Sequence, residues 1–152
     1  MRDPDVLVVG AGPVGMFTAL SMARAGLSVE VIDEQPRPAG HSYAVGLHPA
    51  SVLLLDQLGV LERLLPHGQR IHSMVLTGES GDMERRVPLD GLTGGRSFAF
   101  AVPQARLEET LQAALRRRRV KVRWNHRLAD LDPDADPPAA KVARLGREGS
   151  GY

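Results

Sequence analysis

Residues 5–15 read DVLVVGAGPVG, an apolar run that breaks into a cluster of glycines. Asp5 to Val9 is a short apolar run of the kind that forms a strand buried on both sides of a parallel sheet. Three glycines follow, Gly10, Gly12 and Gly15, with Pro13 between the second and the third. Proline suits the first turn of a helix, where its missing N–H leaves no bond unmade. A GxGxxG run directly after a strand and at the opening of a helix is the dinucleotide-binding arrangement. Gly10 permits the tight turn, Gly12 lets a pyrophosphate approach the backbone, and Gly15 lets the helix pack close to the sheet. Free N–H groups at such a helix start attract phosphate.

The flanks agree with this reading. Val14 to Arg24 (VGMFTALSMAR) predicts a largely buried helix whose apolar surface is Val14, Phe17, Leu20 and Ala23. Gly26 is placed to end it as a left-handed cap. Leu27 to Asp33 (LSVEVID) predicts a second strand ending in an acid, 23 residues beyond Gly10. A carboxylate there accepts hydrogen bonds from adenosine ribose hydroxyls and repels a 2′-phosphate. Residues 4–34 therefore read as a Rossmann-type βαβ unit. The residues alone leave FAD and NAD both open, and a purely structural glycine turn is the minor alternative.

Beyond this unit, residues 35–102 read as an insertion. The stretch Glu34 to His48 is a long loop, and a helix opens at Pro49 with Val52, Leu53, Leu55 and Leu58 as its apolar positions. Gly59 breaks it, and a short turn runs from Val60 to Leu65. Arg70–Thr77 and Asp82–Leu89 predict two strands around the turn Gly78–Gly81, and Ser97–Val102 predicts another. Residues 103–125 supply a helix and a third core strand. In the helix Leu107, Leu111, Ala114 and Leu115 recur at helical spacing, with Glu108 and Glu109 early and the arginines late, as the helix dipole favours. The strand is Val120–Trp124 (VKVRW), whose alternation predicts a less covered place in the sheet. Asp130–Pro138 reads as a turn or exposed loop, and Lys141–Leu145 as the start of a strand in an incomplete excursion over residues 126–152.

Composition narrows the function classes. The chain has 152 residues, 43% hydrophobic and 24% charged, which is one globular domain in length. The absence of cysteine excludes disulfides, thiol nucleophiles and thiolate metal sites, and it fits a cytoplasmic protein. No apolar run approaches the roughly 18 residues of a membrane span, and a net charge of +1 implies no polyanionic partner. The basic stretch Arg96–Arg127, opposed by Glu108 and Glu109, has Trp124 as the ring near its arginine cluster, so it reads as a solvated helix end rather than a nucleic-acid surface. His41, His48, His67, His72 and His126 are too dispersed for a metal motif. Ser42, Ser51 and Ser97 lack a nucleophile elbow, and Asp130, Asp132, Asp134 and Asp136 lack the glycine and terminal glutamate of a calcium loop.

The segment VLVVGAGPVGMFTALSMARAGLSVEVIDEQPRPAGHSYAVGLHPASVLLLDQLGVLERL resembles the N-terminus of the class A flavoprotein monooxygenases, the group of para-hydroxybenzoate hydroxylase and phenol hydroxylase. The likeness runs from Pro4 to Trp124 and is strongest in the first 65 residues. It implies an α/β fold with a Rossmann-type FAD-binding core of three parallel strands plus an antiparallel excursion. It also implies FAD as cofactor, NADH or NADPH as reductant, and transfer of one oxygen atom to an aromatic or phenolic small molecule. In that family the acid at Asp33 binds the adenosine ribose, the block Ala44–His48 passes near the flavin, and Gln104 lies near the ribityl and phosphate region. The cofactor-binding set implied here is Gly10, Gly12, Pro13, Gly15, Asp33, Glu34 and Gln104, with no metal and no assignable catalytic acid or base.

Two positions depart from the family pattern. Glu34 stands where a basic residue is frequent, and Tyr43 where an arginine commonly precedes the alanine; Arg37 and His41 are the candidate replacements. The family also continues into a DG-containing strand, a GD block, a substrate-covering sheet and a helical region, none of which occurs here. The expectation is therefore a partial FAD-binding domain with an unpaired sheet edge, inclined to self-association or to pairing with a complementary segment. A reductase-like or halogenase-like FAD oxidoreductase, and a non-catalytic nucleotide-binding or partner-binding fragment, stay open as alternatives.

Overall fold

In chain order the elements are β1 (Val6–Val9), α1 (Pro13–Arg24), β2 (Val29–Asp33), β3 (Ala44–Leu47), α2 (Pro49–Gln57) and α3 (Leu61–Leu64). A 3₁₀ turn (Leu65–His67) leads to β4 (Gln69–Ile71), β5 (Ser73–Thr77), β6 (Glu84–Pro88) and β7 (Ala99–Pro103). The chain then forms α4 (Gln104–Arg117), β8 (Val122–Trp124), β9 (His126–Asp132) and β10 (Ala139–Arg144). The computed structural model describes residues 3–36, 43–78, 81, 84–89 and 98–146. Arg37, His41, Ser42, Ser97 and the loop Asp90–Gly95 lie outside the described residues.

The chain divides into two compact units, Met1–Gly40 with Leu111–Tyr152, and His41–Thr110. The first holds the expected parallel core, a three-stranded sheet in the order β1-β2-β8. Val6 pairs with Val29 and Val9 with Ile32 on one side of β2, and Val31 pairs with Val122 and Asp33 with Trp124 on the other. β2 is thus the central strand, and Val31 and Ile32 have no exposed surface. The expectation that Asp5–Val9 is buried on both sides needs correction. β1 stands at the sheet edge, and Val9 is 55% exposed.

The buried face of α1 also differs from the one expected. Met16, Ala19 and Leu20 are buried, at the three- and four-residue spacings that bring side chains onto one helix face. Val14, counted with the apolar surface, is 79% exposed on the first turn. Gly26 has φ +94°, the left-handed conformation expected of it. At the strand starts Asp5 and Ser28 clasp each other. The Asp5 carboxylate accepts from the Ser28 N–H at 2.8 Å and its hydroxyl at 2.7 Å, while the Asp5 N–H donates to Ser28 Oγ at 2.9 Å.

The turn or exposed loop expected over Asp130–Pro138 is confined to residues 133–138, and the acids before it extend a strand. Asp130 and Asp132 belong to β9, which pairs antiparallel with β10 from Asp132↔Ala139 to His126↔Arg144. β10 therefore has a partner in the chain, and only the intervening residues turn. At the end of α4, Arg116 to Arg119 are exposed, as a solvated helix end requires.

In the second unit β7 is the centre of an antiparallel sheet, β3-β7-β4, and β5 pairs with β6 as a separate hairpin. The residues Ala44–Leu47, read from sequence as part of a loop, are a strand because β7 supplies hydrogen-bonding partners from Pro103 back to Phe100. The single strand expected over Arg70–Thr77 is two strands divided at His72 and belonging to different sheets. Val60–Leu65 contains a helical turn whose Leu61 and Leu64 are buried with Val52, Leu55, Phe100 and Val102. Each side chain so buried stabilises the unit by roughly 1.5–3 kcal/mol. Phe98 and Phe100 meet edge to face at 6.0 Å, and the Arg70 guanidinium lies over the Phe98 ring at 4.2 Å. Of the apolar positions expected in α4, Leu107 in this unit and Leu111 and Leu115 in the first are buried and Ala114 is half-buried, and Glu108 is buried at 3% exposure.

Candidate functional site

The site lies in the first unit, where β1 runs through the glycine loop into α1 beside the end of β2. Gly10 has φ +102°, so the turn uses a conformation that side chains disfavour. Its N–H donates to Ile32 O at 2.8 Å. Gly12 is the N-cap residue of α1, with Pro13 immediately after it and no side chain capping the helix. A Cβ built on Gly12 meets nothing within 4 Å, whereas one built on Gly15 stands 1.9 Å from Gly10 O. The two glycines thus serve different ends. Gly15 is required by the fold, and Gly12 leaves open space in front of the helix start.

The remaining N–H groups of the loop divide the same way. The Ala11 N–H donates to Asp33 Oδ2 at 2.6 Å, and the Gln35 N–H donates to Asp33 Oδ1 at 2.8 Å. The described residues offer the N–H groups of Gly12, Val14 and Gly15 no acceptor. Such unpaired donors at a helix N-terminus, with the positive end of the helix dipole, form an anion site. A carboxylate oxygen has room for a second hydrogen bond, so Asp33 keeps acceptor capacity toward a hydroxyl-bearing ligand. The geometry offers donors for phosphate and an acceptor for sugar hydroxyls on one short loop.

Of the residues singled out from sequence, Gly10, Gly12, Pro13, Gly15 and Asp33 are therefore brought together. Glu34 follows, exposed. Gln104 belongs to the second unit, where its N–H donates to Tyr43 O at 2.8 Å and its Nε2 donates to Glu108 Oε1 at 2.7 Å. Tyr43 is 69% exposed. His48 Nδ1 accepts from the Ala50 N–H at 3.2 Å and so caps α2. Among the described residues no group of three or more histidine or acidic side chains is arranged to hold a metal, and no helix is long and apolar enough to cross a membrane.

Sequence reading missed the bond from Ala11 to Asp33 and the role of Glu108. The first joins a main-chain donor to a side chain 22 residues away and leaves no trace in residue types. Glu108 looked like a first-turn acid favoured by the helix dipole. Its four-residue spacing from Gln104 was the available signal for an amide–carboxylate pair.

A glycine-loop βαβ unit with an acid closing its second strand defines a dinucleotide-binding protein of the Rossmann class. The family model described as "FAD binding domain" matches residues 3–152, and the chain belongs to that family, with FAD as the cofactor of the class. The open space at Gly12, the unpaired donors and Asp33 fit the adenosine diphosphate part of FAD. Among relatives, the 6-methylpretetramide 4-monooxygenase of Streptomyces rimosus is 32% identical over 145 residues, 95% of this chain and 26% of that protein. The para-nitrophenol 4-monooxygenase of Pseudomonas sp. (strain WBC-3) is 27% identical over 132 residues, covering 85% of this chain and 33% of its own. Among solved structures, the OxyS anhydrotetracycline hydroxylase from Streptomyces rimosus superposes with a TM-score of 0.80 at 28% identity, over 96% of this chain and 29% of that one. The resemblance to the N-terminal, FAD-binding part of the class A flavoprotein monooxygenases is thereby established. The chain spans about a quarter of the length of the first curated relatives, 22% and 26%.

Proposed function

We propose that this chain supplies the FAD-binding portion of an NAD(P)H-dependent monooxygenase that hydroxylates an aromatic or phenolic small molecule. The observation that carries the reading is the loop Gly10–Gly15 closed by Asp33, with three unpaired N–H donors beside a carboxylate. The family match supports FAD as its occupant, and the names of the relatives support the oxygenase chemistry. In this reading the N–H groups of Gly12, Val14 and Gly15 receive the pyrophosphate. Asp33 accepts from the adenosine ribose, Pro13 presets the helix start, and Gly10 and Gly15 let loop and helix approach. Glu34 lines the sugar side, and the family resemblance supports a role for Gln104 near the ribityl and phosphate region. Bound FAD supplies the redox chemistry, taking electrons from the nicotinamide and passing them to oxygen; protein groups hold and orient it.

The test is direct. The purified chain is titrated with FAD, and flavin fluorescence and visible absorbance are followed. Saturable quenching with one flavin per chain is expected. Oxidation of NADH or NADPH by the complete gene product, accelerated by a phenol, tests the activity. A complete product that binds no flavin, or whose NAD(P)H oxidation ignores every aromatic compound offered, refutes the proposal.

A further inference from the structure

We infer that Asp33 has a second task besides receiving a ribose: its carboxylate latches the phosphate loop, so pyrophosphate binding depends on this side chain even when the ligand carries no ribose hydroxyls. The inference rests on the nucleotide-binding reading above and adds to it a positioning role that the ribose contact alone does not imply.

The argument starts from the donors of the loop. Residues 10–15 carry five main-chain N–H groups, because Pro13 has none. Two of them are tied to consecutive residues at the end of β2. The Gly10 N–H goes to the Ile32 carbonyl at 2.8 Å, and the Ala11 N–H goes to the Asp33 carboxylate at 2.6 Å. Main chain and side chain of β2 thus hold adjacent residues of the loop, and the other three donors are left at the helix start. Gly10, at φ +102°, has no side chain of its own to restrain it, so these two bonds carry the shape of the turn. The bond to Asp33 is the stronger type, since a charged acceptor roughly doubles the strength of a hydrogen bond. Its direction is set in turn: the Gln35 N–H holds Oδ1 at 2.8 Å, which fixes the rotation of the carboxylate and leaves Oδ2 facing Ala11.

Two readings of Asp33 then differ in sign. If the carboxylate only accepts from ribose, deleting it removes a negative charge from the neighbourhood of the phosphates. A nucleotide without ribose hydroxyls should then bind equally well or better. If it latches the loop, deleting it frees Ala11 and the turn. The ligand must then order a looser loop, and the cost of that ordering appears as weaker binding for every nucleotide.

The experiment crosses two protein changes with one ligand change. ADP and 2′,3′-dideoxy-ADP are titrated calorimetrically into the parent chain, Asp33→Ala and Asp33→Asn, and amide hydrogen exchange at Ala11 is followed in the ligand-free proteins. The latch predicts that Asp33→Ala weakens dideoxy-ADP by about tenfold or more, the usual worth of a bond to a charged group. Exchange at Ala11 should accelerate by more than any fall in the thermal midpoint accounts for. Asp33→Asn, with one carbonyl oxygen for two backbone donors, should fall between parent and alanine; it also serves as the working variant should the alanine chain fail to fold. Dideoxy-ADP bound by the variants as tightly as by the parent, or more tightly, overturns the latch, as does unchanged exchange at Ala11. A parent chain that binds neither nucleotide refutes the nucleotide-binding reading itself. Exchange at Ala11, measured without ligand, distinguishes that failure from a failure of the latch alone.

Discussion

Gly15→Ala separates the architecture of the loop from its chemistry. The new methyl carbon would stand 1.9 Å from Gly10 O, 3.0 Å from Gly10 C and 3.5 Å from Val8 Cγ1. Even the tightest tolerable contact, about 3.0 Å, requires loop and helix to part by about 1.1 Å, and the clashing atoms are main chain with no rotamer to escape into. α1 cannot yield freely, because Met16 and Ala19 have no exposed surface and Leu20 keeps 2%. Forcing a methyl group into a packed contact costs roughly 1–3 kcal/mol, and a backbone clash belongs at the upper end. Alanine returns at most about 1 kcal/mol through its better helix propensity. A net loss of about 2 kcal/mol lowers the thermal midpoint by roughly 4–8 °C in a chain of this size. Because the displaced atoms include Gly10 O, the loop opens and FAD affinity falls with stability. Thermal unfolding by circular dichroism and a flavin fluorescence titration read both quantities. A variant with parental midpoint and affinity would refute the close approach of helix and loop on which the site rests.

Gly12→Ala is the complementary case: its Cβ meets nothing within 4 Å and its φ of −73° suits alanine. Its stability should stay within about 0.5 kcal/mol of the parent's, while FAD titration should show at least tenfold weaker binding, since the methyl occupies the space assigned to pyrophosphate. Glu108→Ala removes the acceptor of the half-buried Gln104 amide and should cost about 1–3 kcal/mol in a urea unfolding curve, whereas Glu108→Gln keeps an acceptor and should lose much less. Arg123 bridges to Glu30 between two partly exposed side chains, 43% and 28% exposed. Arg123→Ala should therefore change stability by no more than about 1 kcal/mol, and by less still at high salt. Leu115→Ala removes a side chain with no exposed surface and should destabilise by about 2–5 kcal/mol, read from the same unfolding curves.

The nucleotide unit was legible in residue types alone, because its signals are local. GAGPVG requires a tight turn and a helix start within six residues, and each requirement falls on the residue that must meet it. Period also determined α4, whose Leu107, Leu111 and Leu115 recur at helical spacing over a long stretch. Other features depend on partners distant in sequence, which meet only in the folded chain. Ala44–Leu47 is a strand only because β7, more than fifty residues later, supplies its ladder. Asp130–Asp132 extends β9 only because β10 lies alongside, against the turn preference of its two acids. Which apolar strand is buried followed from the order β1-β2-β8, not from hydrophobicity, since DVLVV at the edge is more apolar than the central VEVID. The second bond of Asp33 had no signature for the same reason. Residue type shows that a carboxylate is present, but main-chain donors are alike at every residue except proline, and only the folded loop brings that of Ala11 within 2.6 Å of Asp33.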